Sequence, residues 1–179
     1  MPDLQIVLYP DDPLTRRAEA VPETRFGPRL ASFARRMLER MEASDGVGLA
    51  APQVGRAWRM FVMREPEGEP MIFVNPEILF MDGEQTGEEG CLSLPGLFGP
   101  VTRAMRVRVR ARDAKGQPFE HEAEGFAARI IQHEYDHLDG VVFIDRMDVF
   151  SREVALREWE QQRAALEAEQ STPARAARA

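Results

Sequence analysis

The sequence predicts a single α+β domain: short, mainly antiparallel strands around a helix that bears a His-Glu-x-x-His motif, with a further helix towards the C-terminus. Three observations predict it. The β-like runs are short and separated by turn residues, three longer stretches carry helical periodicity, and no linker or internal repeat divides the 179 residues.

From Arg29 to Glu42, apolar residues fall at Leu30, Phe33, Met37, Leu38 and Met41, the spacing of a helix with one buried face and an Arg- and Glu-rich outer face. Asp45 to Gly55 holds three glycines and a proline and leads into strand-like runs at Met60–Met63 and Met71–Val74. Met105 to Arg112 alternates apolar and basic residues, as a strand with one buried and one solvated face does. Asp113 to Pro118 reads as a turn into a second strand through Phe119–Ala123. Helical spacing returns over Gly125–Leu138 and again from Arg146 to about Gln170, with Met147, Phe150, Val154, Trp159 and Leu166 as the apolar members of the last helix. Ser171-Thr172-Pro173 ends it, and the small, basic remainder is expected to fray.

The balance of 23 basic against 30 acidic residues, a net charge of -7, argues against a dedicated, sequence-specific nucleic-acid binder. Cys91 is the only cysteine, so no intrachain disulfide is available and a reducing compartment is expected. The first ten residues lack the basic opening and apolar run of a signal peptide, and no stretch approaches the ~20 apolar residues of a membrane span. The expectation is a cytoplasmic protein with no membrane partner.

The sharpest local signal is His133-Glu134-Tyr135-Asp136-His137. Two imidazoles four residues apart reach one cation from a single helical turn. At about 100° per residue, Phe126, Ile130, His133, Glu134 and His137 share one face, so two nitrogen ligands, an acid and an apolar wall point the same way. A catalytic site needs a third donor and an open position for water. Downstream, Asp139, Asp145, Asp148, Glu153 and Glu158 are candidates that no pattern selects; upstream, the glycine-bounded stretch around Cys91 presents a thiol from a loop or strand end. A Cys-His-His set favours zinc or ferrous iron over magnesium or calcium. His121, alone in a strand, reads as structural, and a buried inert thiol is the plain alternative for Cys91.

Gly46-Val47-Gly48-Leu49-Ala50-Ala51-Pro52-Gln53, Glu89-Gly90-Cys91-Leu92-Ser93 and Gln132-His133-Glu134-Tyr135-Asp136-His137 together resemble the three signature motifs of peptide deformylases, in family order and spacing. The resemblance implies a catalytic domain over residues 1–170, followed by a basic tail at 171–179. It implies a metal held by Cys91, His133 and His137, with Fe2+ the usual ion and zinc, nickel or cobalt as replacements. Glu134 would be the proton carrier, and the Gln53 side chain with the Leu92 backbone N–H would stabilise charge on the formyl oxygen. The implied substrate is an N-formylmethionyl nascent peptide, and the ribosome is the implied partner through the C-terminal segment. An extended peptide lying against Val47, Gly48 and Gly90 needs close backbone approach, which suits glycine. Val47, Phe126 and Ile130 are the expected wall of the methionine pocket. Glu89 and Arg103 are placed like an acid–base pair bracing the metal loop. One departure is visible: seven residues after the cysteine, where many members carry an arginine, this chain has Phe98.

Two other readings compete. A zinc peptidase would use the same motif with a downstream carboxylate, leaving Cys91 a spectator and Gln53 unexplained. A non-enzymatic ribosome-docking scaffold would have no use for Glu134.

Overall fold

The computed structural model describes residues 3–65 and 67–171. Helix α1 (Pro28–Ala43) opens on Gly27 at a φ of 114°, with Pro28 supplying a fixed helical φ at its first position. It buries Leu30, Ala34, Met37 and Met41, while Phe33 and Leu38 are half-buried at the flanks of that stripe. The chain then enters β1 (Gly48–Ala50), a 3-10 turn (Ala51–Val54) and β2 (Met60–Arg64), whose first four residues are buried on both faces. β3 (Pro70–Asp82) runs well beyond the expected Val74. β6 (Arg106–Arg112) and β7 (Pro118–Glu124) complete an antiparallel five-stranded sheet in the order β1-β2-β3-β6-β7. The expected wet face of β6 is observed: Arg108 and Arg110 lie opposite Glu122 and Glu120 and pair with them in solvent.

The largest addition to the sequence reading is a second, two-stranded sheet: β4 (Gln85–Cys91) and β5 (Leu94–Arg103). β5 contains Pro95, Gly96, Gly99 and Pro100, which read as loop. In a two-stranded sheet each strand keeps one open edge, and a proline whose nitrogen faces that edge removes no ladder bond. Leu94, Leu97 and Val101 face inward and carry the burial.

α2 (Gly125–Leu138) has the expected bounds and packs against β1, β2, β6 and β7. The expected helix from Arg146 is corrected at its start. Phe143–Arg146 form a 3-10 turn, Met147 is extended, and α3 (Val149–Ser171) begins after Asp148, whose carboxylate accepts the N–H groups of Phe150 and Ser151 at 3.0 Å. Of its expected apolar members, Trp159 is buried, but Phe150 and Val154 are exposed, at 77 % and 42 %. α3 buries a narrow stripe of Ala155 and Trp159, so apolar residues elsewhere on its surface meet water. The expected tail lies, apart from Ser171, outside the described residues. No helix among those residues is long and apolar enough to cross a membrane.

Trp159 ties α3 to the N-terminal segment: its indole N–H donates to Tyr9 O at 2.9 Å, and its ring is 2 % exposed within the cluster of Leu94, Leu97 and Phe143. Trp159→Ala is expected to lower the unfolding free energy by about 3–5 kcal/mol, measured by urea denaturation.

Candidate metal centre

Cys91 ends β4, and His133 and His137 lie one turn apart on α2. One donor atom from each lies within 4.8 Å of the others, and Cys91 Sγ is 3.3 Å from His137 Nε2. His133 Nδ1 faces Glu89 Oε2 at 2.9 Å, which leaves its Nε2 for a cation. Burial disfavours charge on His133, but hydrogen bonds with Cys91 and Glu89 outweigh it and raise its pKa well above the ordinary value. Burial, reinforced by the charge on His133, drives His137 well below it, and His137 Nδ1 has no partner among the described residues. The centre thus favours positive charge among three donors while keeping one imidazole neutral. That donor chemistry fits a borderline dication.

Glu134 stands beside the donors with Oε2 buried and unpartnered. Burial lifts its carboxyl to about 7, with the charge on His133 opposing. Gln53 is buried behind Cys91: its Oε1 accepts the Ala50 N–H at 2.8 Å, which turns its amide N–H groups towards Ser93 Oγ (3.3 Å) and Cys91 Sγ (3.4 Å). In front of these groups opens a cleft of about 540 Å³ that Val47, Gly48, Gly90, Leu92, Phe126 and Ile130 also line. Every residue expected to touch substrate therefore lines one cleft; His137, fully buried, and Arg103 are not among its lining.

The glycines have a tighter reason than the one the sequence suggested. A Cβ on Gly48 would stand 2.3 Å from Glu134 Oε1, and one on Gly90 would stand 2.5 Å from Phe98 Cε1. Their missing side chains make room for the protein's own groups as well as leaving backbone open to a ligand. His121 is paired with Glu65 at 2.7 Å, remote from the donors.

Glu89 and Arg103 form a buried bidentate pair at 2.9 and 3.0 Å. Burial alone would raise the Glu89 carboxyl, but hydrogen bonds from His133 and Arg103 hold it below the usual carboxylate range. Sequence reasoning missed the rest of this cluster. Arg129 donates to Glu89 Oε1 at 2.7 Å, and Asp136 accepts from Arg103 at 2.5 Å and from Arg146 at 2.6 and 3.0 Å. Gln132 takes both backbone groups of Ala104 at 2.9 Å, fixing α2 to the β5–β6 link. The available signal was polar residues at positions 129, 132 and 136, about one turn apart on the helix, the last two each directly before one of the candidate donors His133 and His137.

A family model described as polypeptide deformylase matches residues 3–153. The chain belongs to the polypeptide deformylase family. It is 46 % identical over 143 residues to the peptide deformylase of Desulforudis audaxviator, covering 79 % of this chain and 92 % of the relative. Against the peptide deformylase of Clostridium botulinum the identity is 51 % over 138 residues, covering 77 % and 92 %. The crystal structure of a peptide deformylase from Legionella pneumophila superposes with a TM-score of 0.85 at 37 % identity, covering 93 % of this chain and 98 % of that one. Deformylases are hydrolases that remove the N-formyl group from the N-terminal methionine of new polypeptides, and membership assigns this chain that enzyme class.

Glu89 fixes the ring of His133, one of the three candidate donors. Glu89→Gln is expected to weaken metal binding about 10- to 100-fold, measured by chelator competition, and to lower the melting temperature because Arg103 and Arg129 lose their common anion.

Proposed function

We propose that this chain deformylates nascent polypeptides with Cys91, His133 and His137 holding a ferrous ion, Glu134 moving the proton, and Gln53 with the Leu92 N–H receiving charge on the formyl oxygen. The observation that carries the reading is the meeting of a thiol, two imidazoles and an unpartnered buried carboxylate at the head of one apolar cleft. A thiolate and two neutral imidazoles suit ferrous iron or zinc, and the bound cation supplies Lewis acidity that makes a water molecule nucleophilic near neutral pH.

The chain's own residues do the rest. Glu134, with a free oxygen and a carboxyl near 7 in the absence of a cation, accepts a proton from the attacking water and returns one to the departing amine. The Gln53 amide is held by Ala50 and so needs little reorganisation to donate to the formyl oxygen. β1 and β4 are both sheet edges, and Val47, Gly48 and Gly90 border the cleft, so an extended peptide can add to them by backbone hydrogen bonds. Val47, Phe126 and Ile130 then wall the methionine side chain. Glu89 and Arg103 support the ligands from behind.

Because the substrate is a nascent chain, the reading extends to a cytoplasmic enzyme that associates with the ribosome. The exposed apolar residues Val149, Phe150 and Val154 on α3 support such a contact. If they make it, Phe150→Glu reduces co-sedimentation with bacterial ribosomes, while formate release from a free peptide is retained.

The test of the chemistry is formate release from a formyl-Met peptide by anaerobically prepared, iron-loaded protein. Glu134→Ala should lower the rate by about 10²- to 10⁴-fold with metal retained, whereas Cys91→Ala should lose both metal and turnover. Metal retained by Cys91→Ala would remove the thiolate from the ligand set and favour a peptidase-like site.

A further inference from the structure

Phe98 is 62 % exposed on the outward face of β5. Its backbone partners Gly90, one residue from the Cys91 thiol. The ring is seated on that glycine, since a Cβ there would stand 2.5 Å from Cε1 and 2.7 Å from Cδ1. Phe98 is thereby fixed at the rim of the cleft, where Val47 and Phe126 are also exposed, at 43 % and 51 %. The exposed charged residues that line the cleft are Asp45 and Glu88, both acidic. Arg129 lines it too but is buried, its guanidinium taken up by Glu89, Gln85 O and Val101 O. Among the described residues, no exposed basic side chain lines the cleft.

We infer that Phe98, with Val47 and Phe126, forms an apolar shelf that selects for apolar side chains, and against acidic ones, in the residues directly after the substrate's N-terminal methionine. The inference rests on the deformylase reading of the same site. An extended peptide advances about 3.3 Å per residue, so once its formyl end is at Cys91 and its first side chain fills the cleft, the next residues cross the rim. An apolar side chain there leaves water against the Phe98 ring. A carboxylate there meets Asp45 and Glu88 with no exposed cation to offset them. An arginine in place of Phe98 removes the first effect and reverses the second.

The experiment compares kcat/KM for formate release from formyl-Met-Leu-Leu and formyl-Met-Glu-Glu by iron-loaded wild type, Phe98→Arg and Phe98→Ala. The Leu/Glu ratio is read within each protein, so a change in overall activity cancels. The wild type is expected to prefer Leu by about tenfold or more, the scale of discrimination that apolar contacts deliver. Phe98→Arg should lower that ratio mainly by raising the Glu rate, and Phe98→Ala mainly by lowering the Leu rate; if one variant fails to fold, the other carries the comparison. A wild-type ratio near one, or a ratio unchanged by the substitutions, overturns the role of Phe98 while leaving the deformylase reading intact. Release from neither peptide by the wild type overturns that reading, and the inference with it.

Discussion

The buried carboxylate of Glu89 is the joint on which the metal centre depends. The three donors come from two elements far apart in the chain, the end of β4 and the middle of α2, and neither element alone can hold a cation. Glu89 is in β4, yet it accepts from His133 and Arg129 of α2 and from Arg103 of β5. Asp136 extends the junction to Arg103 and Arg146. Burying this many charges costs several kcal/mol per ion before pairing, and an apolar cluster of equal volume would fold the chain as well. What the ionic cluster adds is direction: guanidinium forks and an imidazole accept only a narrow range of positions around a carboxylate. A slip of β4 by one residue would turn Glu89 and Cys91 to the other face and dissolve both the joint and the site.

The same junction explains why small residues gather around the cleft. β1 approaches α2 closely enough that the Glu134 carboxylate occupies the space of a Gly48 side chain, and β4 approaches β5 such that Phe98 occupies that of Gly90. Two sheet edges and a helix therefore converge where Gly48 and Gly90 carry no side chain, and Glu134 and Phe98 fill the space. β1 and β4 are both sheet edges, and the Glu134 carboxylate lies in the gap beside β1. Packing and binding make the same demand at these two positions.

α2, β6 and β7 were legible because strong periodicity in one stretch decided each of them, and His133, Glu134 and His137 rode on that helix. Cys91 was legible because its glycine-flanked position stood out against carboxylates that no pattern selected. The β4–β5 sheet was not, since Pro95, Gly96, Gly99 and Pro100 carry loop chemistry that an edge strand tolerates. Phe150 and Val154 misled for the opposite reason: a helical pattern marks a potential apolar face, but the partner that would bury it is a tertiary fact. Arg129 and Asp136 were given no role from the sequence. Their partners at Glu89 and Arg103 are more than thirty residues away, and no local rule pairs them.

Two buried glutamates sit within the reach of His133, and their surroundings push them in opposite directions. Glu89 is surrounded by donors and is held ionised, so it cannot trade protons without breaking the joint. Glu134 gains little from its neighbours; burial dominates, its carboxyl rises to about 7, and one oxygen stays free. A nearby dication pulls that value down again by direct attraction, so the dry wall and the cation act against each other on one group. Hydrogen-bond count thus separates the two acids: the satisfied carboxylate is held ionised, and the unsatisfied one is the group to which the proposed reading gives the proton.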